Sequence, residues 1–199
     1  MGHSRAEKAK THKRIVSIAS KKFREEGLAG VGIAALMKEA GLTVGGFYKH
    51  FDSRDDLVAE AVSSAFGGWK RRVDAGASGG PSVSLARLID DYLNATHRDD
   101  PGTGCAFSAL APEIARSGKR TRALTTEQVR NDIQLIAGLI PARDAHAVRS
   151  QAILIFSALV GSMSLARAVS DKALSHEILK TVAELLKNLA SPQRVVNSP

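Results

Sequence analysis

Cysteine is almost missing from this chain. Cys105 is the single cysteine among 199 residues, which excludes an intramolecular disulfide framework and indicates a reducing compartment. The histidines are scattered and do not follow a metal-ligand spacing; they are His3, His12, His50, His97, His146 and His176. The sequence also lacks a nucleophile elbow, a P-loop and a dinucleotide fingerprint. We therefore expect no enzyme activity, no catalytic residues, no metal site and no cofactor.

Long apolar runs are missing as well. The most apolar stretch, Ala152–Met163, is interrupted by Ser157, Gly161 and Ser162 and is too short to cross a bilayer. The basic N-terminal residues lead into no apolar segment, so we expect no signal peptide. These absences favour a cytoplasmic protein with no membrane partner.

Positive charge is unevenly distributed along the chain. Residues 1–54 contain eleven Lys and Arg against five Asp and Glu, which gives this quarter a net charge of +6 out of +8 for the whole chain. Such a basic region points to a polyanionic partner. A surface that only keeps the protein soluble explains the charge equally well.

Strand-like alternation of apolar and polar residues is absent, and apolar residues recur at helical spacing throughout. The pattern predicts an all-α protein. Four helices are expected up to Trp69, and the fourth begins at a capping box that starts with Ser53. Further helices are predicted over Val83–His97, Gly104–Ser117, Arg120–Leu139, Arg143–Val169 and Ala173–Ala190. A break is expected at Gly76–Pro81.

Two adjacent glycines interrupt the helical signals in the stretch AGLTVGGFYKHFDSRDDL, residues 40–57. Each glycine inside a helix costs about 1 kcal/mol relative to alanine. A short helix, a glycine-centred turn and a second short helix at Val44–His50 match a helix-turn-helix, whose second helix enters the DNA major groove. Phe47 and Phe51 then face the core. The alternative is that the glycines form a loop and the helix begins at Phe47.

Glycine removes side chains where a backbone must approach a partner closely. Gly45 and Gly46 would let the helix N-terminus lie against the sugar-phosphate edge, where its free N–H groups favour phosphate. Thr43 is the predicted cap of this helix. The residues that can donate to phosphates or base edges are Thr43, Tyr48, Lys49, His50 and Arg54.

This stretch, preceded by a basic helix with the sequence FREEG, resembles the TetR family of bacterial transcriptional repressors over residues 10–62. The resemblance implies that phosphates are positioned by Thr43, Tyr48, His50 and Arg54. It implies that base-reading positions are occupied by Val44, Gly45, Gly46 and Lys49, on the same DNA-binding helix as Phe47. Many members have Thr or Ser at the cap of the second helix, whereas this chain has Gly32, so a weaker grip on the DNA backbone is expected. The cations of the N-terminal arm, Arg5, Lys8 and Lys10, would reach phosphates or the minor groove, or else form a solvated tail.

The last helix carries a coiled-coil-like seam of apolar residues at intervals of 4, 4, 3 and 4. The seam consists of Leu174, Ile178, Val182, Leu185 and Leu189. Small residues of the preceding helix, Gly161, Ser162 and Ser164, would allow close helix approach. A homodimer formed by the two C-terminal helices, or an intramolecular core, explains this pattern, and the resemblance implies the dimer.

The middle helices are expected to bind a small-molecule effector. The candidate lining residues are Trp69, Tyr92, Cys105, Phe107, Leu110 and Phe156, each of which ordinary core packing explains as well. Pro112 removes one helix donor and would leave the Ser108 carbonyl open to a ligand. Glu113 is a candidate partner for a cationic ligand.

Cys105 is predicted at a helix N-terminus, where a thiol pKa is lowered. It is either a reactive sensor or an inert buried thiol.

Three functions remain open from the sequence. The first is a repressor that a ligand releases from a palindromic operator. The second is a repressor that senses oxidants or electrophiles through Cys105, and the third is an architectural DNA-binding protein without effector. The expected organisation is a DNA-binding domain over residues 1–55, an effector and dimerisation domain over 56–190, and a disordered tail over 191–199.

Overall fold

The computed structural model describes residues 5–68, 83–141 and 144–190. These residues form helices and no strands, as predicted. The helices are α1 (Arg5–Glu26), α2 (Ile33–Glu39), a 3-10 helix (Val44–Lys49), α3 (Arg54–Ala65), α4 (Leu85–Tyr92), α5 (Ala95–Asp99), α6 (Ala106–Ile114), α7 (Lys119–Gly138), α8 (Ala145–Ala168) and α9 (Lys172–Ala190). The predicted break at residues 76–81 and the predicted tail at 191–199 lie outside the described residues.

The described residues fall into two compact units. The first comprises 5–68 and 100–128, and the second comprises 83–99, 129–141 and 144–190. The first unit therefore continues past the predicted boundary at residue 55 and includes α6. The assignment of DNA binding to residues 1–55 and of effector binding to 56–190 stays a prediction.

The helices of the first unit pack around one apolar core. Ile15, Ala19 and Phe23, four residues apart on α1, are fully or almost fully buried, because that spacing places them on one face of a helix. Leu110 and Ile114 of α6 belong to the same core. The remaining core residues include Leu36, Met37, Phe47, Phe51, Leu57 and Val62.

Glycine ends the first two helices. Gly27 follows α1 with a φ of +82°, and Gly41 follows α2 with a φ of +69°. Only glycine adopts this region without strain, which is why it commonly terminates helices. The Leu42 N–H then donates to the Met37 carbonyl at 2.8 Å, which closes the turn. Gly32 is the N-cap of α2 and offers no side-chain cap, as predicted.

The prediction of a fourth helix that continues to Trp69 is wrong. The predicted start is confirmed, since the Ser53 hydroxyl accepts from the Asp56 N–H at 3.1 Å. However, α3 ends at Ala65, where Phe66 takes an extended conformation and Gly67 has a φ of +79°. Trp69 itself lies outside the described residues. The helix with residues in both units is α7, and not α3.

The second unit contains α4, α5, the second half of α7, α8 and α9. The predicted helix over Val83–His97 is divided into α4 and α5 because the Asn94 side chain accepts from the His97 N–H at 2.9 Å and begins a new helix. Arg167 of α8 donates to the carbonyls of His97 (2.6 Å) and Arg98 (3.1 Å). This contact satisfies carbonyls that the C-terminus of α5 leaves open.

Both faces of α8 are rich in apolar residues. Among the described residues it is the one helix long and apolar enough to cross a membrane by length and composition alone. Its inner face, which includes Ala152, Ile155, Leu159 and Met163, is buried, and such burial is also found in core helices of soluble proteins.

Candidate DNA-binding surface

The 3-10 helix Val44–Lys49, called the recognition helix below, has one buried and one exposed face. Phe47 is 0% exposed and packs against the ring of Phe51 at 5.3 Å between ring centroids. Val44 is 50% exposed and Tyr48 is 71% exposed. The predicted orientation of these residues is confirmed. Because Phe47 is buried, its side chain can only position the helix and cannot contact a base.

Gly45 and Gly46 both lie inside the recognition helix, so the alternative in which the helix begins at Phe47 is wrong. A Cβ added to Gly45 would meet no atom of this chain within 4 Å, and one added to Gly46 would make only ordinary van der Waals contacts. Neither residue has a positive φ. The fold itself therefore does not require glycine at these positions.

Thr43 is the N-cap residue of the recognition helix, but its side chain makes no capping hydrogen bond. Its carbonyl accepts from the Gly46 N–H at 3.0 Å. The expected side-chain cap is therefore wrong, and the hydroxyl of this exposed residue is available to an external acceptor. Lys49, at the other end of the helix, is also exposed.

The Arg54 side chain makes hydrogen bonds and a ring contact within the protein. Its guanidinium donates to the carbonyl of Leu28 and, at 3.3 Å, to that of Val31. It also lies over the ring of Phe23, 5.8 Å from the centroid. Arg54 thus fixes the loop between α1 and α2, and a phosphate would have to share a side chain that already has these partners.

His50 follows the recognition helix and is partly buried. Within the described residues its Nδ1 has no hydrogen-bond partner. Burial lowers the pKa of His50 below its ordinary value, and the neighbouring charges of His12, Lys8 and Lys49 lower it further. The Nε2 atom of His12 lies 2.6 Å from a carboxylate oxygen of Glu60. An approaching phosphate would favour the charged form of His50.

The N-terminal cations are exposed, and one of them, Lys8, contributes to the lowered pKa of His50. Arg5, Lys8 and Lys10 lie in the first turns of α1 and are exposed. The alternative of a solvated tail is wrong from Arg5 onward, because these residues are helical. Their contact with DNA stays a prediction.

Residues 15–61 match the family described as "Bacterial regulatory proteins, tetR family". The fold is similar to the solved structure of a TetR-family transcriptional regulator from Cytophaga hutchinsonii, with a TM-score of 0.73 and 18% identity over 94% of this chain and 98% of that one. The family match thus covers the helix-turn-helix region, and the similarity of the solved structure extends to the fold of the rest of the chain. The recognition helix lies inside this matched region, at the position of the second helix of the helix-turn-helix.

Two further proteins are similar to this chain. The reduced form of NemR from Escherichia coli has a TM-score of 0.72 and 17% identity over 90% of this chain and 96% of that one. An uncharacterized HTH-type transcriptional regulator from Haemophilus influenzae is 30% identical over 123 residues. That match spans 54% of this chain and 60% of the relative.

The predicted effector-binding residues fall into both compact units. Tyr92 and Phe156 are buried in the second unit, and Tyr92 lies edge-on to His97 at 4.5 Å between ring centroids. Phe107, Ser108 and Leu110 are buried on α6 in the first unit, where Leu110 belongs to the core. The role of these residues in ligand binding stays a prediction.

Glu113 has a partner that the sequence did not indicate. Its carboxylate oxygen accepts from the Leu28 N–H at 2.8 Å and from the Ala29 N–H at 3.3 Å. A Cβ on Gly27 would lie only 3.1 Å from the same carboxylate. Glu113 thus holds the loop into α2 from one side while Arg54 holds it from the other, and this structural use differs from the predicted contact with a cationic ligand.

Cys105 lies next to a positive charge. It is the N-cap residue of α6 and is partly exposed. Arg24 donates to the nearby Gly102 carbonyl at 2.9 Å and to the Ser20 hydroxyl at 3.0 Å. Burial lowers the pKa of Arg24, and its interactions with Cys105, Asp100 and Glu25 oppose this shift. A group of three or more His, Cys, Asp or Glu that could hold a metal is not found among the described residues.

Proposed function

We propose that this chain is a sequence-specific transcription regulator that represses its genes by binding a palindromic operator. The observation that carries the proposal is the recognition helix, where Gly45 is exposed, Gly46 is partly exposed, and the fold requires glycine at neither position. Close backbone approach to phosphate explains these glycines. Base readout falls to the few exposed side chains, Val44, Tyr48 and Lys49, together with DNA shape. The protein acts in the cytoplasm and is not an enzyme.

A homodimer is the form that a palindrome requires. The seam of α9, called the apolar stripe below, consists of Leu174, Ile178, Val182, Leu185 and Leu189. Leu185 is 63% exposed, and Leu174 and Leu189 are also exposed, whereas the neighbouring face of α9 with Leu179 and Leu186 is buried. The intramolecular core thus uses a different face, which favours the dimer over the alternative.

The outer face of α8 continues the apolar stripe. Leu154 and Leu165 are exposed there, and the exposed Gly161 would allow a second helix to approach closely. Ser162 instead points inward and donates to the Ala158 carbonyl at 2.6 Å. We infer that α8 and α9 of two copies form a four-helix interface, as the TetR resemblance implies.

A small-molecule inducer releases the operator in this proposal, since ligand-responsive repression is typical of the family. The ligand would favour a state in which the two recognition helices no longer match half-sites about 34 Å apart. Moving such an equilibrium decisively needs about 5 kcal/mol of differential affinity.

Thiol sensing through Cys105 is a second candidate, favoured by the position of Arg24. In this case Cys105→Ser abolishes the response to electrophiles and leaves DNA binding intact. If wild type and Cys105→Ser respond equally, the second candidate is excluded.

The deciding experiment is selection of bound fragments from the source genome with the purified protein, followed by titration of the selected site and a scrambled duplex. We expect an inverted repeat that is bound about a thousandfold more tightly than the scrambled DNA. Binding that depends steeply on salt but prefers no sequence would support the architectural alternative.

A further inference from the structure

A second basic surface lies outside the helix-turn-helix. Residues 116–122, with the sequence RSGKRTR, comprise the end of the connection between α6 and α7 and the first turn of α7, and they are called the basic segment below. Arg116, Lys119, Arg120 and Arg122 are all exposed. The chain has no acidic residue between Glu113 and Glu127, so this segment concentrates four positive charges within seven residues.

The basic segment is anchored beside the start of α3. The Arg120 Nη1 atom lies 2.6 Å from the Asp56 carboxylate, and Asp56 is in the first turn of α3. A Cβ on Gly118 would lie 3.5 Å from the carboxylate of Asp55. All of these residues belong to the first compact unit. The segment therefore shares one unit with the recognition helix, which ends five residues before α3 begins.

The charges of the basic segment and of the start of α3 favour contact with a phosphate backbone. The two carboxylates of Asp55 and Asp56 would repel DNA at the start of α3, and Arg120 neutralises one of them through the ion pair. Within the described residues Arg116, Lys119 and Arg122 form no ion pair, so their charges are not used to stabilise the fold. Exposed cations without internal partners can neutralise phosphates, and the release of the counterions bound to those phosphates favours DNA binding.

We propose that the basic segment is an additional contact to the phosphate backbone of duplex DNA, next to the site that the recognition helix reads. The inference rests on the proposed DNA-binding function and deepens it. The segment supplies affinity that does not depend on sequence, because its long cationic side chains contact phosphates and not base edges. It lengthens the DNA footprint of each protomer beyond that of the helix-turn-helix.

The test compares two triple variants of the full chain with the same change in net charge. The first is Arg116→Gln, Lys119→Gln and Arg122→Gln, in which Arg120 is kept because it pairs with Asp56. The control neutralises three exposed cations of the second unit, which are Arg149, Lys172 and Lys180. Affinity for the selected operator and for scrambled DNA is measured between 50 and 300 mM salt, with thermal unfolding and dimerisation checked for each variant.

We expect the first variant to reduce the slope of log affinity against log salt by about 0.9 for each lost phosphate contact, which is about 2.7 for each protomer and about 5.4 for the dimer on its operator. Its affinity should fall roughly tenfold to a hundredfold at moderate salt, by the same factor for operator and scrambled DNA. The control should change the slope by less than about 1. A charge-preserving variant, Arg116→Lys with Arg122→Lys, should keep the wild-type slope.

Equal slopes in the first variant and the control would overturn this proposal, because net charge alone would then explain the effect. A first variant with the wild-type slope would overturn it as well. Either result leaves the regulator function standing as long as the wild type selects an operator. A wild-type chain that binds no duplex would overturn both proposals.

Discussion

The recognition helix and α9 each bury one face and expose another, but the two exposed faces are chemically different. The recognition helix exposes glycine backbone, one valine, one tyrosine and one lysine. The apolar stripe exposes large aliphatic side chains, above all Leu185. A face that is poor in side chains suits a close-fitting, charged partner, whereas aliphatic side chains gain free energy when another apolar surface covers them. The difference supports the two proposals made above, in which the recognition helix contacts nucleic acid and the apolar stripe contacts a second copy of the chain.

The largest effect is expected when the apolar stripe is broken. Leu185→Glu places a charge at the centre of the proposed interface, where its desolvation is costly. We expect monomers in analytical ultracentrifugation and at least a hundredfold loss of operator affinity, because two linked half-sites bind much more tightly than one. Ala173→Glu adds the same charge to an exposed position outside the stripe and should leave both properties unchanged. A Leu185→Glu protein that stays dimeric contradicts the interface.

The second-largest effect is expected from Gly45→Ala on the recognition helix. Gly45→Ala adds a methyl group that meets nothing in the free protein, so stability should stay constant or rise by up to about 1 kcal/mol. Operator affinity should fall about tenfold or more, because the methyl group intrudes where the backbone approaches DNA. Chemical denaturation and DNA titration on the same sample measure the two effects. Unchanged affinity would mean that Gly45 does not face the groove.

Gly41 provides a contrast with Gly45, because the backbone conformation of the turn requires glycine at position 41. Its φ of +69° makes Gly41→Ala costly by about 1–2 kcal/mol. We expect a lower free energy of unfolding and near-normal operator affinity at temperatures where the protein stays folded. The two alanine variants thus have opposite profiles, and a Gly41→Ala protein as stable as wild type would argue against the turn described here.

The smallest effect concerns His50. Its pKa is lower in the folded protein than the ordinary value of about 6.5, so the unfolded chain binds the proton more readily. Stability should therefore fall as the pH is lowered from about 7 through 6.5 and below. His50→Gln should show a shallower pH dependence of the free energy of unfolding than the wild type. Identical pH profiles would show that His50 is not desolvated.

Local features of this chain could be predicted from sequence, and long-range partners could not. The burial of Phe47 and Phe51 follows from their spacing of four, and the start of α3 follows from the chemistry of Ser53. The end of α3 was not predicted, because the apolar pattern was followed past Gly67, although this glycine, with its φ of +79°, is the same kind of helix end as Gly27 and Gly41.

The candidate site shows the same limit. The exposed residues of the recognition helix were predicted from the motif, whereas the partners of Glu113 and Arg54 were not. Glu113 is 85 residues from Leu28 in sequence, and no local pattern links a carboxylate to backbone N–H groups at that separation. The ion pair between Arg120 and Asp56, 64 residues apart, escaped prediction for the same reason.

The contact between Glu113 and the loop at Leu28 and Ala29 bears on how modular this protein is. The amides of that loop are satisfied by a residue of α6, and Leu110 and Ile114 of the same helix complete the apolar core of the first unit. A fragment cut after residue 68 would lose both. Recombination between relatives could therefore not exchange the helix-turn-helix as an independent module, because a transplanted one would need an α6 that matches its core and its loop.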